Sequence, residues 1–306
     1  MNTQEKLTAL LNQLNTVMVG KLDQTQDCVA CLLAGGHLLI EDVPGVGKTT
    51  LAHALARTFG LQFSRVQFTT DLMPSDLSGV SVFDRTQEKF VFHPGPLFTQ
   101  VLLADEINRA SPKTQSALLE AMEEKQVSIE GETRPLPSPF FVIATQNPYD
   151  QLGTYLLPES QLDRFLMRIT LGYPNRAAER QLLQGTDRRQ LVSQLPSVLT
   201  PVELQTLQQL VLDVHASEPL LDYVQDLVQA TRSGRWFEQG LSPRAGMALL
   251  RAAKARALLA GRDFVAPDDV RAILPQTIAH RLTPTSEAKR GAAEQVAAML
   301  EAVALP

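Results

Sequence analysis

The pattern of apolar and polar residues divides the chain into two regions. Up to about residue 174, short apolar runs of strand length alternate with stretches in which apolar residues recur at helical spacing. The runs at 38–40, 101–104 and 140–144 contain no polar residue, which is typical of strands buried on both faces of a parallel sheet. From about residue 175 the spacing is helical throughout. The pattern predicts an α/β region, residues 1–174, followed by a smaller all-α region, residues 175–306.

Two helices precede the first strand, and two hairpins interrupt the α/β region. The leucines of residues 1–16 lie on one helical face, and a second helix is predicted from about Leu22 to Leu33, before a double glycine. Apolar residues that alternate on both sides of a polar centre predict a β-hairpin at about 79–92, and a second hairpin is predicted around Gly131. We expect the α/β region to carry both hairpins as insertions.

A glycine-rich turn joins the first buried strand to the helix that follows it. Its residues are Pro44, Gly45, Val46, Gly47, Lys48, Thr49 and Thr50. The glycines allow successive backbone N–H groups to turn inward and form an anion site at the positive end of the helix. Lys48 is predicted to reach the β- and γ-phosphates of ATP, and the Thr49 hydroxyl to hold Mg²⁺. The usual motif has a glycine where this chain has Asp42, so the match is close but incomplete.

Polar residues stand where two later strands end. Asp105 and Glu106 follow one buried run, and Asn147 follows another. Ligands of open α/β sheets bind at this carboxyl edge, so we expect Asp105 to bind Mg²⁺ through water and Glu106 to polarise the attacking water. Asn147 can hydrogen-bond a water or the γ-phosphate. Taken alone, each signal is weak, because acids at strand ends and Asn-Pro turns are common.

Composition and charge narrow the class of protein. The chain has 306 residues, 44% of them hydrophobic, and a formal net charge of −5, so no basic footprint for nucleic acid is present. No apolar run approaches the roughly 20 residues that span a bilayer, and the N-terminus does not resemble a signal peptide, so the cytoplasm is the expected location. Cys28 and Cys31 have redox or metal spacing, but their apolar surroundings favour core packing.

Together these motifs resemble those of AAA+ ATPases, and three segments resemble the MoxR family specifically. The segments are residues 102–110, 144–148 and 158–165. The resemblance implies an AAA+ P-loop core with a parallel sheet and a helical lid, which hydrolyses ATP with Mg²⁺ as a hexameric ring. It also implies protein clients and a partner with a von Willebrand factor A domain. The roles it implies are nucleotide contact for Val19 and Gly20, sensor 1 for Asn147, an arginine finger given to the neighbouring subunit for Arg164, and sensor 2 for Arg244.

Two other functions remain open at this point. Helicases and clamp loaders share the AAA+ core, so a nucleic-acid motor is an alternative that the acidic balance disfavours. A binding module that uses ATP only as a switch is another, and Glu106 argues against it because a pure switch can dispense with a residue that activates water. The leading hypothesis is a chaperone-like ATPase that remodels protein clients.

Overall fold

A computed structural model describes residues 2–148, 153–185, 188–286 and 291–305 of the chain. The strands are β1 (His37–Glu41), β2 (Phe63–Gln67), β3 (Gly79–Asp84), β4 (Lys89–Pro94), β5 (Val101–Asp105), β6 (Gln126–Ile129), β7 (Glu132–Pro135), β8 (Phe141–Gln146) and β9 (Phe165–Ile169). The α/β region also contains helices α1 (Thr3–Val17), α2 (Leu22–Leu33), α3 (Lys48–Thr58), α4 (Pro74–Ser78), α5 (Pro112–Glu124) and α6 (Glu159–Leu162). The helices that follow are α7 (Arg176–Gln184), α8 (Arg188–Gln194), α9 (Pro201–Asp213), α10 (Glu218–Arg232), α11 (Pro243–Leu259), α12 (Pro267–Ile278) and α13 (Ala292–Ala302).

A five-stranded parallel sheet forms the centre of the α/β region. Its order is β2-β5-β8-β1-β9, and β1, β5 and β8 are buried along almost their whole length. Apolar side chains on both faces of these strands explain why the sequence reads as unbroken apolar runs. The predicted α/β fold class is confirmed. All the carboxyl ends of these strands lie at one edge, which brings the loops after β1, β5 and β8 together.

The two predicted hairpins lie outside the main sheet. Strands β3 and β4 pair antiparallel with each other, and so do β6 and β7. Two short helices, α4 and α6, and a 3-10 turn over Ile107–Arg109 have no signature in the apolar pattern. Segments of three to five residues are too short to display a helical period.

The N-terminal helices pack between the sheet and the helical region. Helix α1 begins with a capping box between Asn2 and Glu5, and α2 contacts β1 and β9 on one side and α9 and α11 on the other. Cys28 and Cys31 are free and buried in this layer, as core packing predicts. Burial raises the pKa of both thiols, and at Cys31 it outweighs the opposing charge of Arg251, so both thiols stay protonated.

Helices α7 to α13 form the helical part of the chain. Thr200 caps α9 in a capping box with Glu203, and the Ser242 side chain accepts the Ala245 N–H at the start of α11. Helices α11 and α12 pack against each other, and α12 also contacts β9. One apolar core is therefore continuous from α1 and α2 through the sheet face to α11 and α12.

Candidate active site

The loop after β1 adopts the backbone shape that the glycine-rich sequence predicts. Gly45 and Gly47 have φ angles of +86° and +98°, in the region that residues with a side chain rarely adopt. A Cβ on Gly45 would meet no atom within 4 Å, so conformation and not space requires glycine there. Helix α3 starts at Lys48, and its first backbone N–H groups have no partner within the helix. The loop thus presents donors to an anion.

A cavity of about 690 Å³ lies against this loop and the carboxyl ends of β2, β5 and β8. The predicted residues that line it are Pro44, Gly45, Gly47, Lys48, Thr49, Thr50, Asp105, Glu106 and Asn147. Val46 turns the other way and packs against the apolar core. The structure therefore brings together the loop, both acids and Asn147, which lie up to about a hundred residues apart in the sequence.

The two acids are held by a hydroxyl between them. The Thr145 hydroxyl donates to Asp105 Oδ1 at 2.6 Å, and its oxygen accepts the Glu106 N–H at 2.9 Å. Glu106 has a φ of +57°, a left-handed conformation that costs energy in a non-glycine residue. The backbone strain and the shared hydroxyl together fix where the two carboxylates point.

Strand β2 supplies a second set of polar contacts that the sequence analysis missed. Arg65 donates to Asp105 Oδ2 at 2.7 Å, and Gln67 donates to Glu106 Oε2 at 2.8 Å. Arg109 Nε lies 3.1 Å from the same Glu106 oxygen. The sequence signal that could have found Arg65 and Gln67 is the alternation along β2. Both residues lie on the face of the strand opposite buried Val66.

Lys48 sits in a partly desolvated position. Its Nζ donates to the Asp42 carbonyl oxygen at 2.6 Å. Burial lowers the pKa of Lys48, while the charges of Asp105, Asp42 and Glu106 oppose that shift. Asp105 and Glu106 on the cavity wall, and Asp42 outside it, thus act on the ammonium, and an incoming phosphate would add further negative charge to its environment.

Asp42, which replaces the first glycine of the usual motif, faces away from the cavity. The residue is 5% exposed, and its carboxylate accepts the N–H groups of Val43 at 2.8 Å and Gly172 at 2.6 Å. The side chain thereby ties the phosphate loop to the segment that leads out of β9. Lys21 fixes the same segment from the other side, since its Nζ donates to the carbonyls of Leu171 and Tyr173 at 2.5 and 2.8 Å.

The turn that contains Val19 and Gly20 runs beside the phosphate loop. A Cβ on Gly47 would lie 3.7 Å from Met18 Cε, and a Cβ on Gly20 would lie 2.9 Å from the Cβ of Ala178. The described residues that line the cavity do not include Val19 or Gly20. Their contact with nucleotide stays a prediction, supported by the proximity of Met18.

Arg164 and Arg244 line a different cavity, of about 380 Å³, at the opposite edge of the sheet, where β1 begins. Arg164 Nη1 donates to the Leu119 carbonyl at 2.7 Å and lies 3.3 Å from Glu123 Oε2. Arg244 forms a two-pronged pair with the same carboxylate, at 2.9 and 3.1 Å, and hydrogen bonding from Arg244 lowers the pKa of Glu123. Helix α11 thus begins beside α5 and not beside the phosphate loop of its own chain, and the sensor 2 role of Arg244 stays a prediction.

Comparisons with known proteins identify the family. A model of the ATPase family associated with various cellular activities matches residues 37–167, and an AAA lid domain model matches residues 229–301. The chaperone MoxR1 of Mycobacterium tuberculosis is 42% identical over 287 residues, which cover 90% of this chain and 75% of that protein. The chain belongs to the MoxR family of AAA+ ATPases. The MoxR protein of Methylorubrum extorquens is 34% identical, with 90% of this chain and 88% of that protein covered.

Two further relatives extend the comparison. The uncharacterized protein YeaC of Bacillus subtilis is 47% identical over 290 residues, covering 94% of this chain and 91% of that protein. The crystal structure of a candidate ATPase from Cytophaga hutchinsonii matches with a TM-score of 0.91 at 35% identity, over 99% of this chain and 96% of that one. The similarity to this structure thus covers both the sheet region and the helical lid of this MoxR-family chain. Within the described residues, every helix is too short or too polar to cross a membrane.

Proposed function

We propose that this MoxR-family chain hydrolyses ATP to ADP and phosphate with Mg²⁺. The observation that carries the proposal is the convergence of the phosphate loop, Lys48, Asp105, Glu106 and Asn147 on one cavity at the carboxyl edge of the sheet. Membership of an ATPase family supports it. A glycine-rich loop alone would support only anion binding, whereas the acids opposite it supply groups that can act on a metal and on water.

The cavity residues fit a Mg²⁺–ATP complex. The loop N–H groups and Lys48 would bind the phosphates, and the Thr49 hydroxyl and Asp105 carboxylate offer the oxygen ligands that Mg²⁺ prefers. When bound, Mg²⁺ neutralises charge that develops on the phosphates. Arg65 and Thr145 hold the Asp105 carboxylate at the cavity wall, so the ligand oxygen is already oriented.

Glu106 is the residue that we assign to the attacking water, with Asn147 orienting that water or the γ-phosphate. Gln67 and Arg109 both contact Glu106 Oε2, which restricts the carboxylate before substrate arrives. A positioned base of this kind acts on the transition state, whereas Lys48 already binds the ground state. Lys48→Ala should therefore abolish nucleotide binding, while Glu106→Gln should retain binding and lose most turnover. Equal loss of binding in both variants, measured with a fluorescent ATP analogue, would contradict these roles.

We further propose that the active site is completed by a neighbouring subunit in a hexameric ring. Arg164 and Arg244 lie together at the edge of the sheet opposite their own phosphate loop, which supports a role for both toward the next subunit's ATP. Arginine fingers accelerate phosphoryl transfer by roughly 10³–10⁵. A mixture of Arg164→Ala and Lys48→Ala subunits should regain activity, because some sites then combine an intact Lys48 with a neighbour's intact Arg164.

The work done by this ATPase is, in our proposal, the remodelling of protein clients in the cytoplasm, together with a partner that carries a von Willebrand factor A domain. The similarity to the chaperone MoxR1 supports a protein client. Residues 1–174 would act as the nucleotide-binding core and residues 175–306 as the lid. A pull-down with Glu106→Gln, which should hold ATP and trap its clients, tests this part. Stimulation of ATP hydrolysis by DNA and not by captured proteins would favour a nucleic-acid motor instead.

A further inference from the structure

A short turn of the lid contacts the segment that carries the proposed arginine finger. This turn, the 3-10 helix Ala279–Arg281, follows α12 directly. Arg281 Nη2 donates to the carbonyl oxygens of Phe165 at 2.9 Å and Asp163 at 3.3 Å. Its Nε lies 3.0 Å from Asp163 Oδ1, which makes a close ion pair although the angle falls short of a hydrogen bond. One guanidinium therefore contacts the residue before Arg164 and the residue after it.

Two neighbours of Arg281 reinforce this attachment. His280 Nε2 lies 3.0 Å from the Phe165 carbonyl oxygen. Burial lowers the pKa of His280 well below its usual value, so the ring is neutral and its Nε2–H donates to that carbonyl. Thr283 donates to Glu159 Oε1 at 2.6 Å, at the start of α6. The lid thus contacts residues 159–165, here called the finger segment, at several points.

The segment has little local structure of its own to orient Arg164. Helix α6 has only four residues, and its N-cap residue Pro158 makes no side-chain capping bond among the described residues. Arg164 shares its cavity with the cations Lys125, Arg244 and Arg251 and with the acids Glu123 and Asp163, and its own side chain pairs with Glu123. The lid contacts therefore act together with the pairing of Phe165 and His37 at the start of β9 to hold the backbone on both sides of Arg164.

Arg281 has the chemistry for that task. Only 6% of its side chain is exposed. Burial lowers the pKa of Arg281 to about 10, with Asp163 opposing the shift, so the group is charged at neutral pH. A buried guanidinium presents several donors in a fixed planar arrangement, which a lysine ammonium cannot reproduce. Two carbonyls and a carboxylate around one planar group define the position of the chain between them.

We propose that Arg281 is a positioning residue for Arg164, through which the lid of one subunit sets the approach of its arginine finger to the ATP of the next. The proposal rests on the trans role of Arg164 given above. The lid of one subunit would then influence ATP hydrolysis at the neighbouring subunit's site as well as at the site of its own subunit. Loss of Arg281 should consequently reproduce the defect of losing Arg164, because Arg281 contacts the residues on both sides of Arg164.

The test uses Arg281→Lys and Arg281→Ala in the full chain, with Arg262→Ala as the matched control. Arg262 makes a two-pronged pair with buried Asp269 inside the lid and does not contact the finger segment. A displacement of a reacting group by about 1 Å can cost about 10²-fold in rate, and we expect a loss of that order in kcat for both Arg281 variants. Affinity for the fluorescent ATP analogue should stay within about twofold of wild type. The Arg262→Ala control should keep its turnover.

Subunit mixing separates positioning from a general structural role. Arg281→Lys mixed with Lys48→Ala should regain activity to the same fraction as Arg164→Ala mixed with Lys48→Ala, because both defects lie on the finger side of the shared site. Arg281→Lys mixed with Arg164→Ala should stay inactive. Recovery in that last mixture, wild-type turnover in both Arg281 variants, or loss of nucleotide binding would each overturn the proposal.

The mixing experiments also distinguish failure of the Arg281 proposal from failure of the proposed ring. An Arg164→Ala and Lys48→Ala mixture that stays inactive after co-assembly would refute the trans site, and with it the proposed role of Arg281. In another outcome, the Arg164→Ala and Lys48→Ala mixture regains activity but the Arg281→Lys and Lys48→Ala mixture does not. That result would refute only the role of Arg281. Arg281→Lys keeps the buried charge, so the test holds even where Arg281→Ala fails to fold.

Discussion

Replacing Asp42 with glycine restores the usual phosphate-loop motif, and we expect it to destabilise the protein without improving ATP binding. The Asp42 carboxylate faces Gly172 and Val43, and it does not line the nucleotide cavity. The loop donors that bind phosphate come from residues nearer Gly47. Affinity for ATP in Asp42→Gly should therefore stay within a few-fold of wild type.

The cost in stability follows from the contacts that are lost. A hydrogen bond to a charged group contributes about 1.5–3 kcal/mol, and the bond from the Gly172 N–H is the one that joins distant parts of the chain. The new glycine lowers the free energy of unfolding by roughly 0.5–1 kcal/mol more, because it raises the entropy of the unfolded chain. The free energy of unfolding should fall by about 2–4 kcal/mol. Asp42→Asn keeps one acceptor oxygen, so its free energy of unfolding should lie between those of wild type and Asp42→Gly.

Urea unfolding followed by circular dichroism measures this difference, alongside titration with a fluorescent ATP analogue. Asp71→Gly is the matched control, because Asp71 is exposed and its replacement should lower the free energy of unfolding only by the roughly 0.5–1 kcal/mol that the glycine itself costs. The reasoning would be refuted by an Asp42→Gly protein as stable as wild type. A large gain in ATP affinity would equally contradict it, since the first glycine would then matter for the anion site.

Three further predictions concern other parts of the chain. Arg244→Ala should lower kcat by about 10²-fold and leave affinity for ATP unchanged, as expected for a donor that acts on a neighbour's transition state; unchanged kinetics would reject this role. Replacing residues 84–89 by a two-residue turn should spare basal ATPase activity and thermal stability but remove stimulation by a client. The tip is exposed, and just below it the exposed rings of Phe83 and Phe90 pack edge to face with centroids 5.4 Å apart. Loss of folding would contradict this prediction. Burial lowers the pKa of His37 from 6.5 to about 4, so His37 of the unfolded state binds a proton as pH falls below 6.5 while His37 of the folded state stays neutral. The free energy of unfolding should therefore drop by about 2 kcal/mol between pH 7 and pH 5. An equal pH dependence in His37→Gln would exclude His37 as the cause.

The parts of the fold that could be predicted are those with a local signature. Apolar runs at 38–40, 101–104 and 140–144 predicted buried parallel strands, and all three are strands of the sheet. The loop around Gly47 and the acids after β5 followed from motifs of adjacent residues. Because parallel strands place their carboxyl ends at one edge, the meeting of loop, acids and Asn147 followed from the same reasoning.

The parts that could not be predicted depend on contacts between distant residues. Gln67 reaches Glu106 because β2 pairs with β5 in a register that sets Gln67 opposite Asp105, and no local pattern specifies that register. The bond from Gly172 to Asp42 spans 130 residues. The position of Arg244 depends on how the lid packs on the sheet, and a helix start at Ser242 carries no information about which edge it meets.

The claim at the centre of this account is that each ATP site needs two subunits. The measurement that tests it most directly is the rate of ATP hydrolysis per chain across a dilution series, with particle mass determined at each protein concentration. We predict that turnover per chain rises with concentration in step with the hexamer, and that the isolated chain binds ATP but hydrolyses it at the low rate of Arg164→Ala. Full turnover at concentrations where only the monomer is present would contradict the account.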